Sequence, residues 1–221
     1  MKGLIIKDFR MLGQQKNLFV IYLVMAIVLG FSMDGTFLVT YFPMIGFFLV
    51  LSTISLDNFD NGMAFLMTLP TSGKLYALEK YVIGSVIAIG TWAFATVLQF
   101  GMFFIKKEAF VTSEVLSMDL AIIPILLLAI AIMIPIDIKF GTEKGRLVMF
   151  VIAGIFFMIF LGGKSILNCI KEQKGVDIQA MVKGIEAAPF ATIIAGALLI
   201  VSLLLVGSVM LTIRIMEKRE Y

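Results

Sequence analysis

Six apolar runs divide the chain, at 17–33, 36–56, 82–105, 116–136, 147–161 and 187–213. A helix that crosses the hydrocarbon of a bilayer needs about 20 mostly apolar residues, within a range of about 17–25. The fifth run is short at its polar edges and the sixth is the longest. Hydrophobic residues make up 61% of the 221 and charged residues 15%, against about 45–50% and about 25% in soluble domains. A chain of this size facing water must clothe itself in polar side chains, and this one lacks them. The expected fold is all-α: a polytopic membrane protein with six transmembrane helices, forming a single domain over 1–221. Pro43 and Pro124 fall inside the second and fourth runs and are expected to kink those helices without ending them. The first run is expected to stay in the mature chain, since sixteen residues precede it and no small-x-small cleavage pattern follows it.

Charge sets the expected orientation and removes several function classes. With both termini on one side, twelve of the 18 Lys and Arg residues fall on that side and six on the other. The positive-inside rule then puts both termini in the cytoplasm of a cell-membrane protein. A net charge of +3 with no basic stripe does not fit nucleic-acid binding. The chain has no histidine and one cysteine, Cys169, so no intrachain disulfide forms. No nucleophile–base pair or metal-ligand set is visible, so no catalytic, cofactor or metal site is expected in this chain. A proton- or sodium-coupled carrier keeps ionisable groups near mid-membrane. The run interiors are read as free of them, with Asp119 and Asp137 at edges and Gln99 uncharged. Broken inverted repeats are not evident either.

The segment "TLPTSGKLYALEKY", 68–81, interrupts this pattern between the second and third runs. Its Gly73–Lys74 pair is not a phosphate cradle. Such a loop needs G-x-x-x-x-G-K-[ST], whereas Thr68 stands at the first Gly position and Leu75 follows the Lys. The chain therefore has no visible nucleotide site of its own. Just upstream, "DNFDNGMAFLMTLP" is too apolar for a solvated linker, with Phe59, Phe65, Leu66, Met67 and Leu69 beside Asp60. Pro70 stops that helix, and Thr71 or Ser72 can cap the next one. Two readings fit. The short helix is an arm that docks a cytoplasmic partner, or it beds into headgroups with Tyr76 and Tyr81 as interfacial anchors. Glu79 and Lys80 are expected at the membrane edge.

"LPTSGKLYALEKY" resembles the Leu-Pro-x-Ser-(Arg/Gly)-Lys-x-x-x-x-x-Lys-Tyr pattern between spans two and three of small type-2 permeases of ATP-binding-cassette (ABC) transporters. "KFGTEKGR", 139–146, is similar to a Lys-Phe-Gly-x-Glu-Lys-x-Arg pattern between their spans four and five. "MKGLIIKDFRML" resembles their N-terminal amphipathic helix. The resemblance covers the whole chain and runs to Gram-positive exporters of amphipathic or toxin peptides, of the phenol-soluble-modulin exporter kind. It implies a permease subunit that forms the translocation path, a separate cytoplasmic ATPase carrying ATP and magnesium, and a second permease copy or paralogue. It also implies a coupling helix between spans two and three. The ATPase-docking candidates are Phe59, Asp60, Phe65, Leu66, Met67, Leu69, Pro70 and Lys74. A second inner loop supplies Lys139, Phe140, Gly141, Glu143, Lys144 and Arg146, as a further contact or as a positive anchor. Gly73 departs from the Arg common at that position. The alternative is a non-transporting membrane immunity or sensor protein that holds a cytoplasmic partner on the same helices.

Two flanking segments complete the reading. Leu4, Ile5, Phe9 and Leu12 form a helical face opposite Lys2, Lys7 and Arg10, as in a helix lying on the inner leaflet or a plain positive anchor. Val176, Met181, Val182 and Ile185 fall on or near one face of an outer segment, either a cap over the exit or a solvated loop helix. The 15 Met and 20 Phe residues suit a soft apolar passage, although lipid contact accounts for most of them.

Overall fold

A computed structural model describes residues 2–14, 16–32, 35–59, 62–107, 111–174 and 189–218. The described chain is all-helical apart from its short connections, with no strand among these residues. The elements are α1 (Lys2–Gln14), α2 (Lys16–Ser32), α3 (Thr36–Asn58), α4 (Gly62–Thr68), α5 (Gly73–Lys106), α6 (Thr112–Leu120), α7 (Ile122–Lys174) and α8 (Phe190–Glu217). The outer-segment residues Val176, Met181, Val182 and Ile185 lie outside the described residues.

Among the described residues, four stretches are long and apolar enough to cross a membrane: Thr36–Asn58, Gly73–Lys106, Thr112–Gly141 and Phe190–Glu217. They correspond to the second, third, fourth and sixth apolar runs. The first run forms α2, whose 17 residues include the shorter apolar helix Val20–Ser32. At a rise of about 1.5 Å per residue, such a helix reaches about 26 Å, short of a hydrocarbon core about 30 Å thick. The fifth run lies in the part of α7 beyond Gly141.

The prolines behave differently from one another. Pro43 sits inside α3, as expected. Pro124 does not sit inside a continuous helix. The chain turns at Ala121 between α6 and α7, which leaves Pro124 in the first turn of α7. There its missing N–H costs no intrahelical bond. Pro135 is the proline inside α7. The sharp break in α7 comes at Gly141, with φ 72 and ψ 171, a backbone region essentially restricted to glycine.

The bundle packs α3 against α5, α7 against α8, and α3 against α7. Two apolar clusters hold it. Ala26, Leu38, Val39, Phe42, Ala95 and Met102 join α2, α3 and the second half of α5. The larger cluster gathers Leu4, Ile54, Met63, Leu66, Tyr76, Ile134, Ile138 and Met216 from α1, α3, α4, α5, α7 and α8. Six elements therefore converge at the end of the bundle where α4 lies. By contrast, α2 and α8 present long rows of exposed apolar side chains, among them Val24 and Val28 on α2 and Leu203 and Leu204 on α8. Transferring such rows out of water is favourable at about 25 cal/mol per Å². Lipid or another apolar surface must cover them.

Candidate partner-docking site

The site is built on the connection between α3 and α5. After Asn58 the chain leaves α3, with Phe59 extended at φ −70 and ψ 140. The seven-residue helix α4 follows, Gly62–Thr68. Its ending is local chemistry. The Thr68 hydroxyl donates to the Phe65 carbonyl at 2.7 Å and the Thr71 hydroxyl to the Leu66 carbonyl at 2.9 Å, which satisfies carbonyls that a helix C-terminus leaves free. Leu69 and Pro70 then turn the chain. Ser72 caps α5, its Oγ accepting from the Leu75 N–H at 3.2 Å.

The docking candidates divide between two faces of this arm. Phe59 and Phe65 are 70% and 69% exposed, and Leu69, Pro70 and Lys74 are exposed beside them. Leu66 is buried, as is Met63, and Met67 packs partly buried against the same core. Met63, Leu66 and Met67 follow the i, i+3, i+4 spacing of one helix face, turned inward. Asp60 lies outside the described residues. Gly73 has a packing reason to lack a side chain. A Cβ there would lie 2.9 Å from the Met216 Cβ of α8, so any side chain at this position would require α5 or α8 to shift.

Beneath the arm lies a charged joint. Lys80 of α5 has no exposed side chain and lies 2.8 Å from Asp57 Oδ2 of α3, and it also pairs with Asp8 Oδ2 of α1. It donates to the Thr53 hydroxyl at 3.1 Å. Lys7 pairs with Asp57 Oδ1 and stands 3.2 Å from Asp8 Oδ1. The Tyr76 hydroxyl donates to Asp57 Oδ2 at 3.0 Å, and the Lys80 ammonium lies 5.1 Å from the centre of its ring. Glu79, buried and 3.9 Å from Lys80, brings a third carboxyl group to the joint. Burial works to raise the Asp8 carboxyl, but Lys80 and Lys7 outweigh it and hold Asp8 below its usual range. Three separate elements are fastened at one point.

The structure corrects several sequence expectations here. Tyr76 and Tyr81 are not interfacial anchors, because both are buried. Tyr81 hydrogen-bonds Thr212 of α8 at 2.8 Å and also Ser208, which donates to the Ala131 carbonyl of α7. Glu79 and Lys80 are not at an exposed edge, because α5 runs unbroken from Gly73 and turns them into the bundle. Asp119 and Asp137 are likewise buried in the bundle. On α1 the buried stripe is Leu4, Asp8 and Leu12, one residue per helical turn, while Phe9 is exposed. The sequence reading does not single out Asp8, Asp57 and Lys80 as a joint. The one signal for Asp8 was its spacing: a carboxylate four residues from Leu4 and four from Leu12 falls on the apolar stripe and needs a cation.

The second motif lies elsewhere, at the break in α7. Lys139, Phe140 and Lys144 are exposed, and the Lys139 ammonium lies 5.1 Å from the centre of the Phe140 ring. Gly141 makes the break, and a Cβ on Gly145 would fall 2.6 Å from an Asp137 carboxylate oxygen. The chain therefore folds back closely on Asp137. The side chains of Glu143 and Arg146 lie outside the described residues. Among the described residues, none of this motif joins Asp8, Asp57 and Lys80.

A bundle of membrane-length helices with an apolar arm above a buried charged joint defines a helical membrane protein. The family described as ABC-2 family transporter protein matches residues 3–217, and the chain belongs to it. No curated protein and no solved structure matches the chain. Membership makes the chain the membrane permease of an ABC transporter and implies association with an ABC ATPase and with the bilayer.

Proposed function

We propose that the chain is one half of an exporter for amphipathic or antimicrobial peptides, with six spans, both termini in the cytoplasm of a Gram-positive cell, and α4 as its coupling helix. The observation that carries this reading is the division of α4. Its inner face, Met63 and Leu66, is set into the core, while Phe65, with Phe59 and Leu69 beside it, faces outward. A partner gripping the outer face would move α3 and α5 together, because Lys80 and Asp57 tie those helices beneath the arm. ATP and magnesium would be bound and used by the ATPase. The exposed apolar faces of α2 and α8 support a second permease copy or paralogue across the path. The spans at 17–33 and 147–161 complete the six-helix scheme.

The test is co-purification with the cognate ATPase at matched expression. Burying one Phe side chain contributes about 1.5–3 kcal/mol, and an interfacial hot spot costs about 2 kcal/mol or more when truncated. Phe65→Ala is therefore expected to weaken ATPase association at least about tenfold, since about 1.4 kcal/mol is a factor of ten. Unchanged recovery would remove the docking role. ATPase binding without peptide-stimulated hydrolysis would favour the immunity or sensor alternative. Topology is tested by cysteine labelling. Ser72→Cys should react only from inside the cell and Ser113→Cys only from outside.

A further inference from the structure

We propose that the cleft between the α7 segment just before its break at Gly141 and the C-terminal end of α8 is a binding site for the phosphate of an anionic phospholipid headgroup. The cleft has a volume of about 430 Å³ and is lined by Lys139, Leu211, Arg214, Ile215 and Lys218. Three of these five residues are cations, and no ion pair to any of them is present among the described residues. Like charges gathered in one concavity repel, and an anion seated among them relieves that repulsion. A phosphate accepts from a guanidinium in two places at once and from ammonium groups as point charges, so one Arg with two Lys suits it.

The surroundings select a lipid phosphate over a free one. The cleft lies where two helices long enough to cross a membrane, Thr112–Gly141 and Phe190–Glu217, both come to an end. Headgroups lie at that level. Its apolar lining, Leu211 and Ile215, continues into the exposed row of Leu203, Leu204 and Met210 along α8. Acyl chains can lie along that row while the phosphate sits among the cations. Basic pockets between membrane helices are suited to anionic headgroups for this reason. The inference rests on the membrane-permease reading but needs neither the docking arm nor export.

The experiment is native mass spectrometry of the purified full-length chain, comparing retention of phosphatidylglycerol and phosphatidylcholine. Wild type should retain the anionic lipid preferentially. The triple variant Lys139→Gln, Arg214→Gln, Lys218→Gln should bind it at least about tenfold more weakly. All three side chains are exposed, and thermal unfolding verifies that the variant folds. A control triple, Lys2→Gln, Arg10→Gln, Lys16→Gln, removes the same charge from exposed positions elsewhere and should keep the preference. Equal losses in both triples would mean general surface charge and overturn the site. Displacement of the lipid by an equal concentration of glycerol phosphate would make a free anion the ligand and overturn the lipid assignment. Loss of ATPase association in the cleft triple, with lipid retention unchanged, would give the cleft to the partner. The lipid measurement contains no ATPase and no peptide, so failure of the export reading leaves its outcome unaffected.

Discussion

Lys80 and Lys139 each stand near the end of an apolar helix, yet the fold treats them in opposite ways. Lys80 is buried without exposure, and Asp57 and Asp8 lie at its ammonium group. Lys139 is exposed and shares a cleft with Arg214 and Lys218. The difference lies in what the neighbouring helices bring. Beside α5, the helices α1 and α3 supply carboxylates, so desolvation of the ammonium is offset by close opposite charge. Beside α7, helix α8 supplies two more cations, so burial is closed to Lys139 and water or an anion must serve it. A charged residue near a span end is thus a fastening in one place and an open receptor in the other.

The largest effect should come from cutting the fastening. Lys80→Met leaves Asp8 and Asp57 buried with Lys7 as their remaining cation, and losing one partner of a buried pair costs about 3–5 kcal/mol. Thermal and chemical unfolding of the purified protein in detergent should show a loss of that order. A loss no greater than that of Lys139→Met would break the comparison. On the α7 side the constraint is in the backbone. Gly141→Ala must adopt φ 72 with ψ 171, at a cost of about 1–3 kcal/mol. The same unfolding measurement reads it, and an effect within about 0.5 kcal/mol would show that the break relaxes freely.

Acid separates the two regions further. Asp8 has its carboxyl held below its ordinary value of 3.8 in the folded protein. Its contribution is fully present above that ordinary value and is lost as pH falls through the lowered folded value. Asp8→Asn should therefore be less stable than wild type at neutral pH, with the gap closing as the pH drops below about 4. A gap that stays constant down to the acid limit of the fold would show that the carboxylate charge is not what matters. Lys139→Gln should give the smallest effect, within about 0.5 kcal/mol in stability, because it touches an exposed side chain without an ionic partner among the described residues. A larger loss would mean that the cleft is structural.

Much of the fold was legible in the chain because it depends on neighbours a few residues away. The start of α3 at Thr36, the Ser72 cap and the end of α4 before Leu69–Pro70 follow from apolar length, a hydroxyl at the right position and a residue without an N–H. The exposure of Phe65 and the burial of Leu66 were not legible in the same way. They are adjacent on one short apolar helix, and only the body it rests on distinguishes its faces.

What the sequence by itself determined is therefore the helices and their bilayer class, since composition and periods of a few residues carry that information. The tertiary structure alone decided which charges are buried and where they are paired. Lys80 meets Asp8 across 72 residues of sequence and Thr53 across 27. Helical spacing puts Tyr76 and Lys80 on one face of α5, but that face reads the same whether it meets lipid headgroups or two carboxylates. A buried charge is tolerable only where its counter-charge arrives from another element, and that arrival is a property of packing.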